Sequence, residues 1–295
     1  MKTSLNVTRT WVIGARPRTL PAAVVPVVVG AACAAGLDDV VWWRAPVALV
    51  VSLALQVGVN YANDYSDGIR GTDDVRVGPV RLVASGLASP RSVKRAAFAA
   101  FGVAAVAGLT IALATSPWLL VVGVAALLAG WFYTGGPKPY GYLGLGELFV
   151  FVFFGLVATV GTTFAVAERV TALAVVMGSG VGALACALLV INNLRDIPTD
   201  RLVGKMTLAV RLGDRRTRWL YLTLITVAFT AAIVAAIGWR PWTAIAVVAA
   251  VLAVAPLRRV MRDATGRDLI AVLGETGRLQ MVYGLLAAIG LVISR

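Results

Sequence analysis

Asn60-Tyr61-Ala62-Asn63-Asp64-Tyr65-Ser66-Asp67 closes one long apolar segment of the chain, and Asn192-Asn193-Leu194-Arg195-Asp196-Ile197-Pro198-Thr199-Asp200 closes another. Continued as helix, the first stretch puts Asn60, Asp64 and Asp67 on one face at i, i+4 and i+7. The second repeats the stripe with Asn192, Asp196 and Asp200 at i, i+4 and i+8. A carboxylate at the centre of a bilayer costs about 3 kcal/mol on insertion scales, and less near the interface, so acids without a task there are selected against. Two carboxylate stripes facing each other in a helical bundle suit divalent cations, and such cations in turn suit a diphosphate.

The rest of the chain supplies the bundle. With 59% hydrophobic residues, 14% charged residues and a mean hydropathy of +0.86 over 295 residues, a soluble globular domain is excluded and a polytopic membrane protein implied. About 20 apolar residues cross the roughly 30 Å of bilayer hydrocarbon. Nine such segments are read: Leu20–Gly36, Ala45–Asn60, Ala96–Thr115, Pro117–Tyr133, Glu147–Ala167, Val170–Ile191, Trp219–Ile237, Trp242–Leu257 and Gln280–Ile293. The expected fold is therefore all-α: one integral membrane domain over 1–295, a bundle of nine transmembrane helices with cytoplasmic cap loops. The two longest polar interruptions, Gly68–Arg95 and Arg195–Arg218, each follow a motif and are expected to fold back over the mouth of the bundle.

A net charge of +13 would suggest nucleic acid in a soluble protein, but its placement points elsewhere. All Lys and Arg except Arg44, Arg169, Arg240 and Arg295 lie in the N-terminus or in the connections after the second, fourth, sixth and eighth segments. This asymmetry obeys the positive-inside rule: it predicts a multi-pass protein of the inner (plasma) membrane, with N-terminus and both motifs on the cytoplasmic side. Basic loops there suit anionic lipid headgroups or an anionic substrate. The chain has no histidine, which removes His-ligated zinc or haem, His general bases and Ser-His-Asp chemistry together. Cys33 and Cys186 lie within apolar spans and read as packing residues, and the N-terminal segment reads as a retained first helix.

Magnesium takes oxygen ligands, typically one or two carboxylates together with phosphate oxygens and water. Asp64, Asp67, Asp196 and Asp200 are the expected catalytic carboxylates. Amide oxygens of Asn60, Asn63 and Asn192 join them as metal ligands, and Asp73 extends the first motif. Arg70, Arg195, Arg201 and Lys205 are placed to share charge developing on a diphosphate leaving group. The connection from Tyr133 to Glu147 is dense in Gly, Pro and Tyr; a turn explains the Gly and Pro. Tyr133, Lys138 and Tyr140 within it offer a rim for a planar or anionic acceptor, and Arg16 offers a bidentate partner for a carboxylate. A secondary transporter also keeps acids inside a bundle, but places them near the midplane of broken helices rather than beside basic loops.

Asn63-Asp64-Tyr65-Ser66-Asp67 and Asp196-Ile197-Pro198-Thr199-Asp200 resemble the two signatures of the UbiA superfamily of intramembrane aromatic prenyltransferases, Asn-Asp-x-x-Asp and Asp-x-x-x-Asp. Arg16-Pro17-Arg18-Thr19-Leu20-Pro21, Tyr133-Thr134-Gly135-Gly136-Pro137 and Gly144-Leu145-Gly146-Glu147 are similar to the members that prenylate 1,4-dihydroxy-2-naphthoate in menaquinone biosynthesis. The family's third acid in the first motif commonly sits where this chain has Gly71, with Asp73 two positions on. The resemblance implies a Mg2+-dependent transfer of a polyprenyl group from its diphosphate to the naphthoate, with loss of carbon dioxide and diphosphate. Within the same family, 4-hydroxybenzoate, homogentisate and haem are the alternative acceptors.

Overall fold

A computed structural model describes residues 7–72 and 78–295. Among them every regular element is helical. In chain order these are α1 (Val7–Ala15), α2 (Pro21–Ala34), α3 (Arg44–Arg70), α4 (Pro90–Ala114), α5 (Trp118–Phe132), α6 (Gly146–Val150), α7 (Ala158–Ala167), α8 (Ala172–Leu202), α9 (Leu208–Leu212), α10 (Asp214–Gly238), α11 (Ala250–Met261) and α12 (Asp268–Ile293). A π-helical stretch, Phe151–Val157, joins α6 to α7 in one span, and a 3-10 stretch, Pro241–Ala249, leads into α11.

Among the described residues, seven helical spans are long and apolar enough to cross a membrane: Arg44–Arg70, Pro90–Ala114, Gly146–Ala167, Ala172–Leu202, Asp214–Gly238, Pro241–Met261 and Asp268–Ile293. The protein is thus a multi-pass membrane protein. The first predicted segment becomes α2, 14 residues long, bent by 55° from the helical residues before it; together the pair makes an eighth candidate. Arg16, with φ of 54°, is the left-handed residue between α1 and a 3-10 turn over Pro17–Thr19, which leads into α2. The predicted Pro117–Tyr133 segment becomes α5, whose 15 residues rise about 22 Å, short of the hydrocarbon thickness.

Both motifs are helical throughout, and both helices outrun their apolar segments. α3 continues to Arg70, where Gly71 ends it with a left-handed φ of 71°, and α8 continues past Pro198 to Leu202. α8 is the central helix, with 78% of its most apolar stretch buried between α2, α10, α12 and the π-helical stretch. Glycine lets it approach that closely: a Cβ on Gly155 would lie 2.5 Å from the Cα of Gly182 and 2.8 Å from the carbonyl of Gly178. Small residues at such a crossing replace the hydrophobic drive that lipid does not supply.

At the end of the bundle opposite the motifs, the buried Arg44 guanidinium donates to the carbonyls of Ala165 (3.1 Å) and Ala114 (2.6 Å) and to Glu168 (2.8 Å). It thereby satisfies carbonyls left over at the C-terminal ends of α7 and α4. At the motif end, the chain after α3 folds back as expected: Leu82 is fully buried, packed against Gly14 and Tyr61, and Val83 packs on Gly68.

Candidate active site

The two motifs meet. Nζ of Lys205, in the turn after α8, lies 3.7 Å from Oδ2 of Asp67 on α3 and 3.8 Å from Oδ1 of Asp200 on α8. Both carboxylates are almost completely buried, so a single cation is shared between one acid of each motif. Tyr142, in a 3-10 turn over Tyr140–Leu143, donates its hydroxyl to Oδ1 of Asp67 at 2.8 Å. Its ring lies beneath two cations, with Lys205 Nζ 5.1 Å and the Arg70 guanidinium 5.4 Å from the centroid. Burial, and then the Asp67 carboxylate, push the Tyr142 phenol above the ordinary tyrosine range, so it stays a protonated donor at neutral pH. Tyr142 is not among the rim residues Tyr133, Lys138 and Tyr140 that the sequence singles out, and only its contact with Asp67 gives it a role.

The other acids have local partners. Both oxygens of the fully buried Asp64 accept main-chain N–H groups, from Leu82 at 2.9 Å and Val83 at 3.0 Å, so this residue ties the folded-back loop to α3. Asp196 accepts a two-pronged contact from Arg195, 2.7 Å from Nε and 2.8 Å from Nη2. The Arg195 guanidinium is sealed beneath Gly78, and its Nη1 has no partner among the described residues. Arg70 donates to the carbonyls of Thr134 and Gly136 and so anchors the Tyr133 loop. Arg201 and Lys138 are both exposed. Asp73 lies outside the described residues.

Directly below the cluster, toward the middle of the bundle, is a cavity of about 440 Å³. Arg16, Gln56, Asn60, Asn63, Tyr133 and Asn192 form its polar end. Here the amides are mostly committed. Asn60 donates to the Ala15 carbonyl (2.8 Å) and to Thr19 (3.0 Å) while its own oxygen accepts from Gln56 (3.3 Å). Asn63 accepts from the Thr134 hydroxyl (2.8 Å), and Arg16 donates to the Asn60 carbonyl (3.2 Å). Tyr140 also borders the cavity, with its ring stacked 4.0 Å from Phe149 and its hydroxyl donated to Ala129. Burial raises the phenols of Tyr133 and Tyr140 as well. Gln56 is not singled out by the sequence, and Thr19 enters there only within the run 16–21; their hydrogen bonds to each other and to Asn60 appear only once these segments pack together.

No three acidic, histidine or cysteine side chains converge on one point among the described residues. Still, an ammonium held between the carboxylates of two different helices occupies the place a hard cation would take, and all nearby donors are oxygens, which is the chemistry magnesium requires. Tyr142→Phe is expected to lower kcat/KM by about tenfold to a hundredfold while leaving the melting temperature nearly unchanged. It removes a donor that orients a ligating carboxylate.

Residues 23–291 match the profile of the UbiA prenyltransferase family. The chain is 54% identical over 278 residues, 94% of its length and 95% of the relative's, to the 1,4-dihydroxy-2-naphthoate octaprenyltransferase of Mycobacterium tuberculosis. It is 33% identical to the enzyme of that name from Escherichia coli, over 98% of this chain and 96% of that one. Among solved structures, the fold is similar to a UbiA homolog from Aeropyrum pernix K1 (TM-score 0.68, 16% identity, 98% of each chain covered). It is also similar to one from Archaeoglobus fulgidus bound to GPP and Mg2+ (TM-score 0.61, 13% identity, 95% of this chain and 99% of that one).

Proposed function

The chain belongs to the UbiA prenyltransferase family, and from that premise we propose that it transfers a polyprenyl group from an allylic diphosphate to 1,4-dihydroxy-2-naphthoate, forming demethylmenaquinol, the reduced form of demethylmenaquinone, in menaquinone biosynthesis. The observation that carries the site assignment is the Lys205 ammonium held between Asp67 and Asp200. The diphosphate is seated at this cluster, with Asp67 and Asp200 holding magnesium and Lys205 and Arg195 facing the phosphate oxygens. Bound magnesium supplies Lewis-acid charge that makes the diphosphate a better leaving group.

The residues do the rest by position. Tyr142 fixes the rotamer of Asp67. Asp64, through Leu82 and Val83, closes the loop over the site and keeps water from the allylic cation left when the C–O bond to diphosphate breaks. The prenyl tail lies in the apolar part of the cavity, and the naphthoate lies at its polar end with the carboxylate toward Arg16 and the ring beside Tyr133 and Tyr140. The new C–C bond forms at the ring carbon bearing the carboxylate. The bond to that carboxylate then breaks and its electron pair restores the aromatic ring, so carbon dioxide leaves and no side-chain base is needed for that carbon. The distribution of Lys and Arg supports a cytoplasmic motif end, because Arg44 and Arg240 both cap carbonyls at the opposite end.

The decisive experiment incubates the purified full chain with dihydroxynaphthoate, geranylgeranyl diphosphate and magnesium, and identifies the product by mass. A geranylgeranyl demethylmenaquinol, or the quinone that air makes from it during work-up, is expected, with none formed after chelation. Product with 4-hydroxybenzoate but not with the naphthoate would overturn the acceptor assignment.

A further inference from the structure

The first turns of α4 carry three cations and no acid. Arg91, Lys94 and Arg95 are all exposed, none of them forms an ion pair among the described residues, and no Asp or Glu occurs anywhere from Pro90 to Ala114. Lys94 is also ringed by aromatic side chains from three helices. Its ammonium lies 5.5 Å from the ring centroid of Tyr65 on α3, 5.9 Å from that of Trp131 on α5 and 6.0 Å from that of Phe98 on α4. Tyr and Trp rings beside a lysine mark the depth of lipid headgroups, so these cations stand at the level of the lipid phosphates.

The face they occupy continues as a groove. Arg91, Arg95, Ala99, Gly102, Val106 and Thr110 follow one another at steps of three or four residues and so form one slowly winding stripe along α4. From Ala99 to Thr110 that stripe is one wall of an outward-facing apolar groove of about 740 Å³, whose other wall is Pro46, Val47 and Val50 of α3. A Cβ on Gly102 would meet no atom within 4 Å, so the glycine widens the groove without serving a helix contact. By helical rise the groove starts about 6 Å below Arg95 and runs for about 16 Å, half of the roughly 30 Å of hydrocarbon and so the depth of one leaflet. It shares no lining residue with the central cavity.

The excess of cations at the motif end accounts for their number there, but not for their alignment with an open apolar groove. We propose that this outer face of α3 and α4 binds an anionic phospholipid, with its phosphate on Arg91 and Arg95 and one acyl chain along Ala99–Thr110. The charges select this occupant over a second copy of the chain, because α4 has no acid with which another α4 could answer them.

The test titrates the full chain in detergent with phosphatidylglycerol or with phosphatidylcholine of the same acyl chains, and counts bound lipids by native mass spectrometry. The double substitution Arg91→Gln, Arg95→Gln is expected to weaken phosphatidylglycerol binding by about tenfold or more and to leave phosphatidylcholine binding within about threefold. Gly102→Leu fills the groove and should weaken both lipids alike. Arg91→Lys with Arg95→Lys keeps the charge and should keep the preference for phosphatidylglycerol. The control is Arg258→Gln with Arg262→Gln, which removes two exposed arginines at the close of α11 and should leave both affinities within about threefold. Equal losses in the α4 and α11 pairs would reduce the effect to overall charge and overturn the proposal, as would no loss in either. A dimer that comes apart in Gly102→Leu would overturn it too, by assigning the groove to a second copy of the chain.

Discussion

Asp67→Asn and Asp200→Asn are each expected to lower kcat/KM for prenyl transfer by about a thousandfold, the scale seen when one preorganised electrostatic group is removed from a reacting centre. Asparagine keeps the shape and can still accept the Tyr142 hydroxyl, so the fold has little reason to respond. What disappears is a negative charge on one side of the cation position that α3 and α8 share. Asp64→Asn is the instructive contrast. Asp64 uses both oxygens as acceptors for Leu82 and Val83, and an asparagine turns one acceptor into a donor facing an N–H. That variant should lose thermal stability as well as activity, by about 1–3 kcal/mol, because a fully buried donor is left unmatched. Activity assays with increasing magnesium, paired with melting curves in detergent, separate the two outcomes. Near-normal rates for Asp67→Asn or Asp200→Asn would remove those residues from the chemistry.

The contrast also shows what sequence could and could not reveal. Helical spacing placed Asn60, Asp64 and Asp67 on one face, and the structure keeps them on one helix. Spacing does not say how far each side chain lies along the axis from a given neighbour. Asn60 therefore meets Ala15 and Thr19, Asp64 meets the returning loop, and Asp67 alone meets the second motif through Lys205. Arg70 and Lys205 both looked like phosphate ligands, because each follows an acidic motif closely. Only the folded chain shows that Arg70 is occupied by the Thr134 and Gly136 carbonyls. Span number was blurred for a related reason. Hydropathy measures apolar length and not where a helix ends, and α5, with 15 residues, and α2, with 14, are each shorter than the apolar segment that holds them.

Lys205→Met is expected to move two measurements in opposite directions: kcat/KM for the prenyl diphosphate falls by about a hundredfold, while the magnesium concentration needed for half-maximal rate falls too. The first follows because a diphosphate loses a cation that shares its charge. The second follows from the geometry of the cluster, where the ammonium lies within 4 Å of a carboxylate from each motif. With that charge removed, Asp67 and Asp200 repel without relief, and a divalent cation no longer competes with a tethered one for the same two oxygens. In this arrangement Lys205 bridges the two motifs, lying within 4 Å of one carboxylate from each. Lys205→Arg retains the charge but substitutes a planar fork for a compact ammonium, so it should recover part of the rate and little of the metal dependence. A half-maximal magnesium concentration unchanged in Lys205→Met would mean that the ammonium and the metal occupy different places, and the shared-cation account of the site would fail.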